Sequence, residues 1–167
     1  EIWIGDHAVL DVAAKAVTAV DQFGRRYGVA GNGGTIAIGP NGPRANDGIE
    51  PAANAFIIIR PGAVLDASGA GAVVDVLQGA GQTLPTGLVT RQVALAGDGG
   101  TIALASYNGI HADGTMRAAA GGAGAAGGTL SVTLETPRYS TTPDSRPSPD
   151  MVVPRELLIG AVYRPAL

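Results

Sequence analysis

The chain has 167 residues, enough for one domain with a sizeable core or for several turns of a repeat array. Its 26 glycines and 4% aromatic content argue against an ordinary globular core, because glycine brings no side-chain volume and costs backbone entropy. A net charge of -3 without a basic stripe argues against nucleic acid, zero cysteines exclude a disulfide framework and thiolate metal sites, and no apolar run has membrane-spanning length.

In chain order, Glu1 to Ile4 opens a strand carrying Trp3, the single tryptophan, and Ala8 to Asp11 makes a second short run. Ala13 to Val20 is rich in alanine but is assigned as strand, because HAVLDVAAKAVTAVD from His7 parallels GAVLDASGAGAVVDV from Gly62. Asp21 to Gly31, with Phe23, Arg25, Arg26 and Tyr27, is a turn and a short strand. Pro40 to Asn54 is dense in helix and strand breakers and becomes an outward loop. Phe56 to Arg60 is an apolar strand turned by Pro61-Gly62, and Ala80 to Gly87 is a loop before the strand Leu88 to Leu95. Thr101 to Ala105 and Thr129 to Leu134 alternate in the period-2 manner of half-buried strands, with Ile102, Leu104, Leu130, Val132 and Leu134 as their core positions. Pro137 to Pro154, with five prolines, is a long excursion before Leu157 to Tyr163 resumes strand character.

Two landmarks alternate along the chain. The first is Gly-Gly-Thr followed by alternating apolar residues: GGTIAIG at Gly33, GGTIALA at Gly99 and GGTLSVT at Gly127. The second is an apolar run closed by Asp and small residues: AVLDVAA from Ala8, AVLDASG from Ala63 and a looser IHADGTM from Ile110. The chain between a second landmark and the next Gly-Gly-Thr varies in length. A strand framework that tolerates variable insertions is what a solenoid permits, since each coil contacts only its neighbours. The expected fold is therefore all-β, a parallel β-helix, with about seven coils of roughly 20 to 25 residues in a rod of roughly 30 to 35 Å. Residues 1–167 form a single segment of it, with loops 40–54 and 137–154 extruded. The chain starts at Glu1 without Met and is expected to be an excised or processed piece of a longer shaft.

The long stretch GGTIALASYNGIHADGTMRAAAGGAGAAGGTLSVTLETP, with RPGAVLDASGAGAVVDV and DQFGRRYGVAGNGGTIAIG, resembles the filamentous haemagglutinin family of large bacterial exoproteins exported by two-partner secretion. The resemblance covers most of the chain outside the two proline-rich loops. It implies a right-handed parallel β-helix, an outer-membrane two-partner secretion transporter as partner during export, and a secreted or bacterial cell-surface location. It also implies adhesion to host cells or other bacteria. The family's NPNG-type secretion motif is approached only by GPNG at Gly39 to Gly42, which lacks the first Asn and lies inside the repeats, so the chain is placed in the shaft. The lack of cysteine suits a chain that crosses the periplasm unfolded.

Each candidate for chemistry has a structural counterpart. Asp11, Asp66 and Asp113 close the second landmark and would stack into an acidic row, either a calcium ladder or a pair of glycosidase carboxylates, or else cap turns through their own oxygens. The turn role is preferred, since the G-G-x-G-x-D calcium pattern is not reproduced. His7 and His111 lack zinc spacing and are expected at turns or facing solvent. Arg25, Arg26, Arg60, Arg91 and Arg117 would bind acidic glycans if they lined one face, and otherwise solubilise the surface. Ser106, Ser131 and Ser140 lack an elbow motif or a base. GGAGAAGG at Gly121 to Gly128 lacks the Lys-Ser/Thr of a phosphate loop and serves close turns between coils. Asn32, Asn108, Ser68 and Thr115 suit stacked ladders that satisfy backbone groups and hold register.

No catalytic, cofactor-binding or metal site is assigned, and no cofactor is expected. The expected function is that of a structural and adhesive shaft segment whose lateral loops contact a host-cell or glycan receptor, without membrane insertion, and whose open ends allow end-to-end self-association. The alternatives are a polysaccharide-degrading β-helix enzyme, with Asp66, Asp113, Arg60 and Arg117 converging on one face, and the stalk of a contact-dependent toxin.

Overall fold

The structure, a computed structural model, describes residues 1–40, 52–53, 55–77 and 90–134, together with the backbone of 156–159. Among them the protein is all-β, with several small parallel sheets and two antiparallel hairpins. The strands that set its plan are β1 (Ile2–Ile4), β2 (Val9–Asp11), β5 (Thr35–Ile38), β6 (Phe56–Ile59), β7 (Val64–Asp66), β10 (Thr101–Ser106), β11 (Gly109–Ala112), β12 (Thr115–Arg117), β13 (Thr129–Leu134) and β14 (Glu156–Ile159). Three parallel sheets collect them in the orders β1-β6-β11-β14, β2-β7-β12 and β5-β10-β13. The chain thus makes three successive passes through the same three sheets, and β14 rejoins the first of them.

Alternation sends every second residue of the parallel strands toward a common core. β5, Thr-Ile-Ala-Ile, and β6, Phe-Ile-Ile-Ile, each bury every second residue. Parallel pairing then places like over like. Ile2, Ile57 and Ile110 share one row; Leu10, Leu65 and Met116 share a second; Ile36, Ile102 and Leu130 share a third. One apolar cluster joins the three sheets, with Ile57, Ile59 and Ile110 from the first, Leu65 and Met116 from the second, and Ile36, Ile102 and Leu104 from the third.

The Gly-Gly-Thr landmarks fall in register, since Thr35 pairs with Thr101 and Thr101 with Thr129. Gly33, Gly99, Gly100 and Gly128 stand where the backbone approaches itself too closely for a Cβ. The Thr101 N–H donates to the Gly34 carbonyl at 3.0 Å and the Thr129 N–H to the Gly100 carbonyl at 2.9 Å. Within one pass, the Gly100 N–H donates to the Ala67 carbonyl and the Gly128 N–H to the Ala118 carbonyl, both at 2.7 Å. A Cβ on Gly100 would collide with the Gly34 carbonyl oxygen, and one on Gly33 with that of Ala67.

Two hairpins explain the variable spacing between landmarks. β3 (Ala16–Val20) and β4 (Arg26–Ala30) lie between β2 and β5, and β8 (Gly71–Leu77) and β9 (Thr90–Ala96) lie between β7 and β10. The third pass has no hairpin there, and residues 118–128, which include GGAGAAGG, run directly from β12 to β13. Of the expected strand Ala13 to Val20, Ala16–Val20 is strand β3, and residues 13–15 lead into it.

The expected coil length is corrected. Ile57 follows Ile2 by 55 residues and Ile110 follows Ile57 by 53, because each of these passes carries a hairpin, and the first also contains the segment 40–54. The described residues make three passes and the start of a fourth rather than seven coils. At about 4.8 Å per strand the sheets are roughly 10 to 14 Å deep. The feet of the loop 40–54 stand together, Pro40 bridging Ala52 and Ala53 bridging Ser106. The remainder of that loop, the loop Ala80 to Gly87 and the excursion Pro137 to Pro154 lie outside the described residues.

Candidate functional site

Asp11 and Asp66 occupy matching positions on β2 and β7. Each carboxylate accepts the backbone N–H two residues on, Asp11 Oδ1 from Ala13 and Asp66 Oδ1 from Ser68, both at 2.9 Å. This is the turn-capping role, repeated in the first two passes. Asp113 does not extend the row. The residue paired with Asp66 in the third pass is Arg117, while Asp113 follows β11 and donates its N–H to the Ile59 carbonyl. IHADGTM resembles the second landmark in composition, but its Ile110 belongs to the sheet of β1 and β6, so the landmark's true third copy is Gly114 to Arg117. A three-membered acidic row is therefore absent.

The candidate arginines are dispersed. Arg25 lies in the turn before β4 and Arg26 in β4, Arg91 lies in β9, Arg60 directly after β6 and Arg117 at the end of β12. Arg60 stands 5.5 Å from the centre of the Trp3 ring and 3.6 Å from the Asp6 carboxylate. Asp66 and Arg117 face each other across β7 and β12, whereas Arg60 and Asp113 border a separate groove. Ser106 is fully buried. Its hydroxyl donates to the Ala55 carbonyl at 2.6 Å and accepts the N–H groups of Asn108 and Gly109, so it fastens the corner between β10 and β11. Ser131 pairs with Ala103 inside a sheet, and Ser140 lies outside the described residues.

Polar ladders between passes are present. Asn32 Oδ1 accepts the Asp98 N–H at 2.9 Å, and Asp98 Oδ1 accepts the Ala126 N–H at 2.7 Å, so two side chains in the GNGG and GDGG connectors link three passes. The Ser68 hydroxyl accepts the Ala119 N–H at 3.2 Å. Asp98 was not among the expected residues, although its place before Gly-Gly-Thr, matching Asn32, is the signal that identifies it.

Among the open grooves on the sides of the described residues, two hold more than one candidate residue. One of about 310 Å³ is lined by Trp3, Ile58, Arg60, Pro61, His111 and Asp113, on the outward face of β1, β6 and β11. Trp3 is 56% exposed there, and His111 meets the Phe56 ring at 6.3 Å. The other, about 540 Å³, lies between the hairpins and includes Arg25, Arg26, Tyr27, Val74, Asp75 and Val76. Among the described residues no group of three or more His, Cys, Asp or Glu side chains is arranged to hold a metal ion, and no helix is long and apolar enough to cross a membrane.

At the tip of the first hairpin, Asp21 accepts the N–H groups of Arg25 and Phe23 and pairs with Arg25 Nε at 2.6 Å. The Arg25 backbone N–H, with the guanidinium and the Phe23 N–H, holds its carboxyl below the usual 3.8, against a smaller opposing effect of burial. A depressed folded-state value means the ionised form stabilises the turn above pH 3.8 and that this contribution disappears as pH falls through the lower folded-state value. We expect the stability difference between wild type and Asp21→Asn to be constant at neutral pH and to close on acidification through that window. Denaturation midpoints measured across pH check this, and a difference that did not change with pH through that window would exclude the ionic contribution.

No protein-family model, curated protein or solved structure matches the chain.

Proposed function

We propose that the chain is a segment of a right-handed parallel β-helix serving as the structural and adhesive shaft of a large secreted bacterial surface exoprotein. The observation that carries this reading is the single apolar cluster shared by three parallel sheets, each receiving one strand per pass. Closing the passes around that cluster gives a coil whose strands stack along an axis, and stacking supplies length and stiffness. Export by a two-partner secretion transporter and a surface location accompany the proposal, as does end-to-end stacking through the half-buried ends of the core rows, Ile2, Ile4 and Leu10 at one and Leu130, Val132 and Leu134 at the other.

The Trp3 groove supports the adhesive part, since an exposed aromatic face beside Arg60, Asp113 and His111 combines apolar contact with polar groups, as glycan recognition requires. The test is to present the purified chain to host-cell surfaces and to acidic and neutral polysaccharides, recording retention and polysaccharide length together. Retention with unchanged length, weakened in Trp3→Ala, is the expected result. Shortened polysaccharide would overturn the reading in favour of a lyase or hydrolase, and no retention on any surface would remove the adhesive role.

A further inference from the structure

The first hairpin carries a strand edge that the other described residues leave uncovered. Every residue of β3, Ala-Val-Thr-Ala-Val, is exposed, with Val17 at 68% and Val20 at 61%, and among the described residues β3 pairs only with β4. The direction of its backbone groups follows from the register. The Arg26 N–H points away from β3 and donates to Asp75 at 2.7 Å, while the Asp21 N–H donates across the hairpin to the Arg25 carbonyl. Alternation along an antiparallel pair then turns the N–H and C=O groups of Ala16, Thr18 and Val20 outward.

Natural sheets protect such edges with charges, proline, bulges or covering segments. Among the described residues β3 has none of these: its sequence holds no charge and no proline, its pairing with β4 runs one to one without a bulge, and no third strand covers it. A two-stranded ribbon is marginal in water, and added strands stabilise it.

We propose that this edge binds a second copy of the chain, the two β3 strands pairing antiparallel about a two-fold axis at Thr18 to make a four-stranded sheet. The sequence is self-complementary in that register. Thr18 faces the second copy's Thr18, Val17 faces its Ala19, Ala16 faces its Val20, and Lys15 faces its Asp21. The two flanking pairs set the only lysine of each chain against a carboxylate of the other, and cross-strand Thr–Thr and opposite-charge pairs both favour the sheet. The exposed side chains Val17, Ala19, Tyr27 and Val29, which share one face of the hairpin, join across the axis into a single apolar strip. This lateral contact differs from end-to-end stacking, which would use the edges of the parallel sheets, and it holds whether or not the chain belongs to an adhesive shaft.

The full 167-residue chain provides the test, because it contains no cysteine and a single introduced thiol reports alone. Directly opposed residues of a hydrogen-bonded antiparallel pair have Cα atoms about 5.5 Å apart, within disulfide range. Oxidised Thr18→Cys is expected to give a covalent dimer as its main product, at concentrations where the wild type sediments as a dimer, and Val29→Cys, on the strand away from the axis, is not. Thr18→Lys sets like charges face to face and is expected to weaken self-association by about tenfold or more with an unchanged circular dichroism spectrum. A wild type that stays monomeric at high concentration would overturn the proposal. So would a Thr18→Lys chain that associates like the wild type, which would point to the sheet ends, or equal cross-linking of the two cysteine variants.

Discussion

Gly100→Ala is expected to lower the stability of the protein by about 3 kcal/mol or more, seen as a lower denaturant midpoint with an unchanged slope. The reason is local. The new Cβ would occupy the space of the Gly34 carbonyl oxygen, and the atoms next nearest to it, the Gly33 carbonyl carbon and oxygen, are backbone as well. A flexible side chain could move aside at little cost, but here two backbones held by the bond from Thr101 N–H to the Gly34 carbonyl would have to separate. Gly24→Ala offers a contrast, because nothing lies within 4 Å of its Cβ position. Its φ of 79° makes it costly through backbone strain alone, so its effect is expected to be smaller, about 1 to 2 kcal/mol. Equal losses at the two positions would refute the close-approach account of the Gly-Gly-Thr triplet.

Leu65→Ala is expected to cost about 2 to 5 kcal/mol, and Leu10→Ala distinctly less. The two leucines pair with each other on β7 and β2, and their immediate sequences are the same, Ala-Val-Leu-Asp. Only their places in the stack differ. Leu65 lies between Leu10 and Met116 and is fully buried, whereas Leu10 begins the row and keeps part of its surface in water. Removing the middle side chain opens a cavity lined on both sides, while removing the first deletes contacts on one side only. Chemical denaturation of the two variants checks the order, and an equal loss would mean that the rows do not act as a continuous core.

The same contrast marks what could be read without the structure. Gly-Gly-Thr was legible as a repeated unit because a Cβ at Gly33, Gly99, Gly100 or Gly128 would collide with a backbone oxygen, so the constraint appears as recurring glycines before Thr35, Thr101 and Thr129. The turn role of Asp11 and Asp66 was legible for a similar reason, since a carboxylate capping an N–H two residues on is a local interaction. Asp113 misled because composition imitates the landmark while register does not, and register is settled by which neighbouring strand an edge meets. Asp98 was missed because its bond to the Ala126 N–H, and Asn32's to Asp98, join residues 28 and 66 positions apart. The Trp3 groove was missed likewise, its walls coming from β1, β6 and β11.

By itself the sequence determined the strands and the recurrence of their apolar, glycine and aspartate positions. Period-2 alternation, β-branched content and tight-approach glycines act within a few residues and leave their mark there. The tertiary structure alone decided how many passes those strands make, that two hairpins project between them, and which polar groups meet. The number of passes depends on pairing between backbones about 50 residues apart, and backbone hydrogen bonds are the same for every side chain, so the letters of either partner do not record it.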